Sequence, residues 1–269
     1  MSFVRAFLNL NIRLSKWFDQ AFLPPSFLKD GNRDFIVDFG QKYLASDQKI
    51  YDVGGGKQPF IDAQKKAVLR LNVVGIDISA QELSKAPVGA YDKTVCADIA
   101  QYKGPDDGDI VICQAVLEHV RDTEGAIQSI ASLLKPGGKA LIFVPSRNAV
   151  FARLNLLLPQ KVKQWILFAV YPTTRTAQGF PSFYAQCTPA GMLALAKANN
   201  LMLEDARYYY ISSYFSFFFP LYFFWRMWIV CFKLVAGHEA AETFSMALVK
   251  MPGTNSANAG PSGPKAPEN

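Results

Sequence analysis

Paired cysteines and clustered metal ligands are absent from this sequence. Its four cysteines, at positions 96, 113, 187 and 231, form no C-x-x-C pair, and His119 and His238 are its only histidines. No metal-ligand cluster emerges from that inventory. Cys96 and Cys113 fall in expected buried strands and read as small apolar residues of a reducing compartment. Acidic residues are missing altogether between Gly125 and Leu203, a stretch that carries Lys135, Lys139, Arg147, Arg153, Lys161, Lys163, Arg175 and Lys197. A surface of one sign concentrates ligands of the opposite sign. The first 23 residues also lack a continuous apolar core ahead of a small-residue cleavage site, so a secretory signal is not expected there.

What is present begins with size. With 269 residues, half of them hydrophobic, the chain can bury a large core in one domain or at most two, and its net charge of +6 suits an anionic partner. Lys49 to Gly56 is a short apolar run that carries Asp52 and breaks into Gly54-Gly55-Gly56. Asp77 closes a second such run, 71–76, and Asp98 closes a third, 93–97. Runs of this kind are expected to be parallel strands whose carboxyl ends gather along one sheet edge, where open α/β folds bind ligands. Glycines let the backbone approach a ligand, and carboxylates accept hydrogen bonds from hydroxyl and amino groups. A nucleoside suits that combination.

These residues resemble the class I S-adenosylmethionine-dependent methyltransferases, from about Asp30 to Pro145 and more weakly to Met251. The acidic-x-Gly-x-Gly signature matches Asp52, Gly54 and Gly56, with Gly55 between them; the ribose-binding acid matches Asp77, followed by Ile78; the adenine-contacting pair matches Asp98-Ile99. Gly108 to Cys113 reads as the fourth strand, Leu117-Glu118-His119-Val120 is similar to the family's Leu-Glu-His-Val signature, and Leu133 to Gly138 is similar to its turn before strand five. The resemblance implies an α/β fold, a doubly wound, mostly parallel seven-stranded sheet with an antiparallel last strand, and S-adenosylmethionine as cofactor. One departure is Gln58 at the third motif glycine, followed by Pro59, which is expected to open the next helix. A nicotinamide dinucleotide site is the competing reading, but G-x-G-x-x-G from Gly54 would need glycine at Pro59. The plainest alternative is a tight turn with helix-capping aspartates. It leaves the ordered series of elements unexplained.

Four segments extend this core. Residues 1–29 are expected to hold an amphipathic helix, with Phe3, Phe7, Leu10, Leu14 and Trp17 on one face, lying either in a membrane interface or on the domain. The methyltransferase domain is expected over 30–251, opening with a helix from Asp30 to Ala45. Within it, 147–187 reads as an apolar and aromatic substrate cap suited to an anionic amphiphile, or as an ordinary helical insertion. Residues 208–236 form an aromatic run nearly long enough to span a bilayer, interrupted by Pro220. Both flanks of that run are expected to pair in one sheet, which argues against a single crossing and for a helical hairpin or broken helix. Its reading is an interfacial anchor or a dimer interface. The Gly, Pro, Ala, Ser and Asn of 252–269 predict a disordered tail.

The resemblance also bears on chemistry. His119, just past strand four, is the first choice of general base for an acceptor hydroxyl, and Tyr184 in the cap the second, although the Leu-Glu-His-Val context also occurs where it merely orders the loop. Gln114 reads as a polar contact near cofactor or acceptor. In the quinone O-methyltransferases that this region resembles, an acid three residues before the Glu-His pair helps to hold a divalent cation. Ala115 stands there, so no metal is expected. Nucleic acid is not an expected partner, because no Asn/Asp-Pro-Pro-Tyr/Phe motif is present. The favoured function is O-methylation of a lipid-linked, envelope-glycan or other small amphiphilic acceptor by an enzyme peripheral on the inner face of the cytoplasmic membrane. Two alternatives stand beside it: a soluble quinone or small-metabolite methyltransferase that dimerises through the aromatic run, and a non-catalytic scaffold of the same fold.

Overall fold

The computed structural model describes residues 2–157, 181–211 and 215–252. The centre of the expected cap and the expected disordered tail after Pro252 lie outside them. Seven strands form one sheet: β1 (Lys49–Val53), β2 (Asn72–Asp77), β3 (Lys93–Cys96), β4 (Gly108–Gln114), β5 (Leu134–Pro145), β6 (Leu201–Tyr209) and β7 (Thr243–Lys250). Their order is β3-β2-β1-β4-β5-β7-β6. The first five run parallel, and β7 is antiparallel to both β5 and β6. This is the doubly wound sheet that the resemblance implies. The strand order reverses between β1 and β4, the kind of crevice in which such sheets bind ligands.

Alternation along the central strands divides the core. Val111 and Cys113 of β4 face one cluster with Val53, Ile76 and Ile142, while Ile110 and Ile112 face another with Ile50, Phe35 and Phe39. Side chains two apart share a face of a strand, so one run of apolar residues can feed helical layers on both sides. β3 lies at the sheet edge and exposes Cys96, contrary to the buried position expected for it.

Local chemistry moves several helix boundaries. The segment expected as a helix from Asp30 to Ala45 is an α-turn (Gly31–Asp34) capped by the Asp30 side chain, a π-turn (Phe35–Phe39) and a 3-10 turn (Gln41–Tyr43). The wider π-turn buries both Phe35 and Phe39 completely. The helix after β1 starts at Ala63, not Pro59, because the Asp62 carboxylate caps it by accepting from the Lys65 amide at 2.7 Å.

Two long helices lie outside the sheet. Tyr208 and Tyr209 at the start of the aromatic run belong to β6, and its later part, Phe219–Ala236, is one unbroken helix; among the described residues no hairpin or helix break is seen. Pro220 opens it instead of interrupting it, since the first turn needs no amide from that residue. Its flanks return to one place, for Tyr209 of β6 pairs with Thr243 of β7. The N-terminal helix, Ser2–Phe22, packs against it with its apolar stripe turned outward. Asn11, Ser15, Phe18 and Asp19 are buried, while Phe7, Leu10, Leu14 and Trp17 are exposed.

Polar groups join the two helices. Asn11 accepts from the Phe219 amide at 2.9 Å, and Ser15 donates to the Ser216 carbonyl at 3.0 Å. Asp19 takes the Tyr222 hydroxyl at 2.6 Å and Arg226 Nε at 3.0 Å. Arg226 is fully buried, and its remaining nitrogens donate to the Tyr210 and Phe27 carbonyls at 2.5 and 3.0 Å. Each nitrogen of the guanidinium is therefore satisfied, as burial of a charge demands.

Candidate active site

The carboxyl ends of β1 to β4 enclose a cavity of about 550 Å³. Gly54 and Val53 from the first strand, Asp77 and Ile78 from the second, Asp98 and Ile99 after the third, and Ala115, Val116 and His119 after the fourth line it. The sheet has brought together residues that the sequence holds far apart.

The glycine turn fits close approach by a ligand. Gly54 adopts φ 73°, and a Cβ there would collide with Val116, itself a wall of the cavity. Gly56 adopts φ 47°, and a Cβ there would sit 3.0 Å from Asp77 Oδ2. Only a residue without a side chain takes such conformations at no steric cost. Asp77 Oδ1 accepts the Ser79 amide at 2.8 Å. Burial raises the Asp77 pKa first, and the neighbouring Glu82 charge adds to it, so hydroxyl donors from a ligand would relieve a poorly solvated carboxylate. Asp98 Oδ1 accepts the Ala100 amide at 2.9 Å, which fixes that carboxylate at the cavity wall. Paired acids, an open backbone turn and apolar Ile78 and Ile99 are what the ribose and adenine of S-adenosylmethionine would require.

Other expected site residues lie elsewhere. Asp52 is buried beneath the turn and does not line the cavity: its Oδ2 accepts the Phe60 amide at 2.8 Å and the Tyr91 hydroxyl at 3.2 Å. Burial pushes its pKa up to about 6. Its position suits support of the loop, and Gly55 packs directly on it, 2.5 Å separating a Gly55 Cβ from Asp52 Oδ2 if one were added. Gln114 also stays outside the cavity, donating to Asn32 Oδ1 at 2.8 Å. Tyr184, the second choice of base, is buried in the core at φ 52°, and its neighbour Phe183 faces the cavity instead.

His119 stands on a short 3-10 turn, Leu117–His119, at the cavity wall. Its Nδ1 lies 3.1 Å from the Pro181 carbonyl and 3.3 Å from Ser182 Oγ. A proton on Nδ1 satisfies the carbonyl and leaves Nε2 as the basic nitrogen. Glu118 is buried, with Oε1 3.8 Å from that Nε2 and, among the described residues, no hydrogen-bond partner for Oε2. Burial pushes its pKa up to about 7. Sequence reasoning missed Pro181 and Arg121 as wall residues and Tyr91 as the brace of Asp52. Arg121 stacks over the Phe183 ring at 4.6 Å, and the Phe183 amide donates to the Glu118 carbonyl at 2.7 Å, so this wall is tied to the histidine turn. Among the described residues, no group of three His, Cys, Asp or Glu is arranged to hold a metal ion.

Comparison with known proteins gives one family. Residues 26–187 match the family described as "Methyltransferase domain". The chain is 26% identical over 200 residues to a ubiquinone biosynthesis O-methyltransferase of Aeromonas salmonicida, spanning 71% of this chain and 78% of that protein. It is 32% identical over 167 residues to the ubiquinone biosynthesis O-methyltransferase of Cupriavidus pinatubonensis, spanning 60% of this chain and 62% of that one. Among solved structures, the phosphoethanolamine N-methyltransferase 2 of Haemonchus contortus in complex with S-adenosyl-L-methionine shares the fold at a TM-score of 0.51, with 16% identity over 90% of this chain and 57% of that chain. The [4+2]-cyclase SpnF shares it at 0.52, with 16% identity over 84% and 85%. The cyclase is a reminder that the fold alone does not fix a reaction. The matched family, whose residues span both the glycine turn and the histidine turn, does: this chain belongs to the S-adenosylmethionine-dependent methyltransferases.

Proposed function

We propose that the enzyme methylates a hydroxyl of a small amphiphilic acceptor of the quinol or phenol type. The observation that carries this reading is the placement of His119 at the cavity wall, with its Nδ1 3.1 Å from the Pro181 carbonyl, a contact that suits a proton on Nδ1 and a lone pair on Nε2. It is supported by relatives named for O-methylation in ubiquinone biosynthesis. S-adenosylmethionine supplies a methyl carbon already activated by its sulfonium, so the protein needs only to bind, orient and deprotonate. Asp77 and Asp98 would hold the adenosyl hydroxyl and amino groups. His119 Nε2 would take the acceptor's hydroxyl proton as the oxygen bonds to the methyl carbon and the carbon-sulfur bond breaks. An ionised Glu118 at 3.8 Å would stabilise the resulting imidazolium. Phe183 and Pro181 would exclude water from that side, and holding the reactants in line supplies much of the acceleration.

A peripheral position on the cytoplasmic face of the membrane completes the reading, because amphiphiles of this kind partition there. The acid-free stretch between Gly125 and Leu203 favours a second reading, an anionic lipid-linked or glycan acceptor. Incubation of purified protein with S-adenosylmethionine and matched prenylated catechols, amines and lipid-linked glycans, followed by mass spectrometry, separates the two. O-methyl catechol is expected, with His119→Ala slowing its formation about 10²–10⁴-fold at unchanged cofactor affinity. Methylation confined to amines or glycans would overturn the quinol reading.

A further inference from the structure

The two outer helices turn apolar side chains outward. Their shared interior encloses the polar Asn11, Ser15, Asp19 and Arg226 beside Phe18, whose ring meets Phe219 and Phe223, so polar groups that a helix pair in water keeps outside lie inside. On the outside, the N-terminal helix presents Phe7, Leu10, Leu14 and Trp17, and the helix Phe219–Ala236 presents Leu221, Phe224, Trp228 and Leu234. Phe224 and Leu234 are 70% and 82% exposed, far beyond what scattered surface residues need. An apolar groove lined by Trp17, Phe22, Phe223 and Met227 opens between the helices.

We propose that this face docks on an anionic lipid bilayer, with both helices lying in the interface plane and the groove taking an acyl chain. Charge selects this occupant. The only carboxylate in either helix, Asp19, is enclosed and neutralised by Arg226, while Arg5, Arg13 and Lys16 are exposed. A second copy of the chain would bring those like charges together across a twofold interface, whereas acidic headgroups complement them. Length alone would let the helix Phe219–Ala236 cross a bilayer, and only 22% of its apolar stretch is buried in the fold. Crossing is ruled out by register, since the β6 and β7 ends that flank the helix pair with each other. A helix about 27 Å long whose ends return to one sheet edge lies along the surface. This inference specifies the surface behind the peripheral contact proposed above and stands apart from the acceptor, so failure to methylate quinols leaves it intact.

Flotation of the full chain with vesicles of phosphatidylcholine alone, or with one third phosphatidylglycerol, tests it. Recovery with the anionic vesicles is expected, falling at least tenfold for Phe224→Glu with Trp228→Glu and for Arg13→Glu with Lys16→Glu, both variants retaining the parent affinity for S-adenosylmethionine. Addition of anionic vesicles should also shift the tryptophan emission to the blue. Equal recovery in the soluble fraction with and without vesicles would overturn the proposal. So would a stable dimer in solution that the aromatic variant converts to a monomer.

Discussion

Asp77 and Asp52 show how much a single carboxylate's role depends on where its strand ends. Both were legible as members of a three-acid edge, and the strand rhythm placed them correctly. Periodicity does not reveal which of them faces the ligand. Asp77, at the end of β2, lines the cavity; Asp52, one residue inside β1, is sealed beneath the turn by Phe60 and Tyr91. Gln114 follows the same rhythm, but its partner Asn32 lies 82 positions away, a pairing without a sequence signal. Asp77→Ala should therefore weaken S-adenosylmethionine binding by roughly 1.5–3 kcal/mol through loss of charge-assisted hydrogen bonds. Calorimetric titration measures this directly, and an unchanged dissociation constant would refute the assignment of Asp77 to the ribose.

At the scale of elements, the N-terminal helix carries two stripes, of which only one is apolar. Phe7, Leu10, Leu14 and Trp17 gave the apolar face; Asn11, Ser15 and Asp19, spaced by four, gave a second face that meets the helix Phe219–Ala236. Small polar residues add nothing to a hydrophobic count, so that count alone leaves the helix either in a membrane interface or on the domain. The energetics centre on Arg226, which is enclosed and depends on Asp19 for its neutralisation. Removing one partner of a buried pair leaves an unpaired charge, so Asp19→Ala is expected to destabilise the fold by about 3–5 kcal/mol in denaturant unfolding. Replacing both residues by apolar ones, Asp19→Leu with Arg226→Met, should recover most of that loss. If the single variant unfolds at the parent midpoint, the pair is not what joins the helices.

Across the whole molecule, sheet order and the cofactor edge were readable because each strand is a short apolar run ended by an acid or glycine. Features set by tertiary neighbours were not: the packing that buries Phe35 and Phe39 on the π-turn and the burial of Tyr184 depend on residues distant in sequence, whereas the start at Ala63 rests on a local signal, the Asp62 cap, that lies past Pro59. Three buried carboxyls share one pH response. Burial raises Glu242 to about 8, Glu118 to about 7 and Asp52 to about 6. A carboxyl whose folded pKa lies above its unfolded value holds its proton longer in the native state, so its stabilisation is complete below the unfolded pKa and is lost as pH rises through the folded one. Glu242 alone would account for a decline on the order of 4 kcal/mol between about pH 4.5 and 8. Thermal unfolding across that range should show a falling midpoint, and Glu242→Gln should flatten the fall; parallel curves for the two proteins would count against Glu242 as its source. The enclosed Arg226 also constrains how this protein can be shortened. Trimming the first helix alone would strand a cation in a dry interior and bare the aromatic side of its partner, inviting aggregation. A well-behaved minimal enzyme would have to shed both helices together, with a tight turn joining β6 directly to β7.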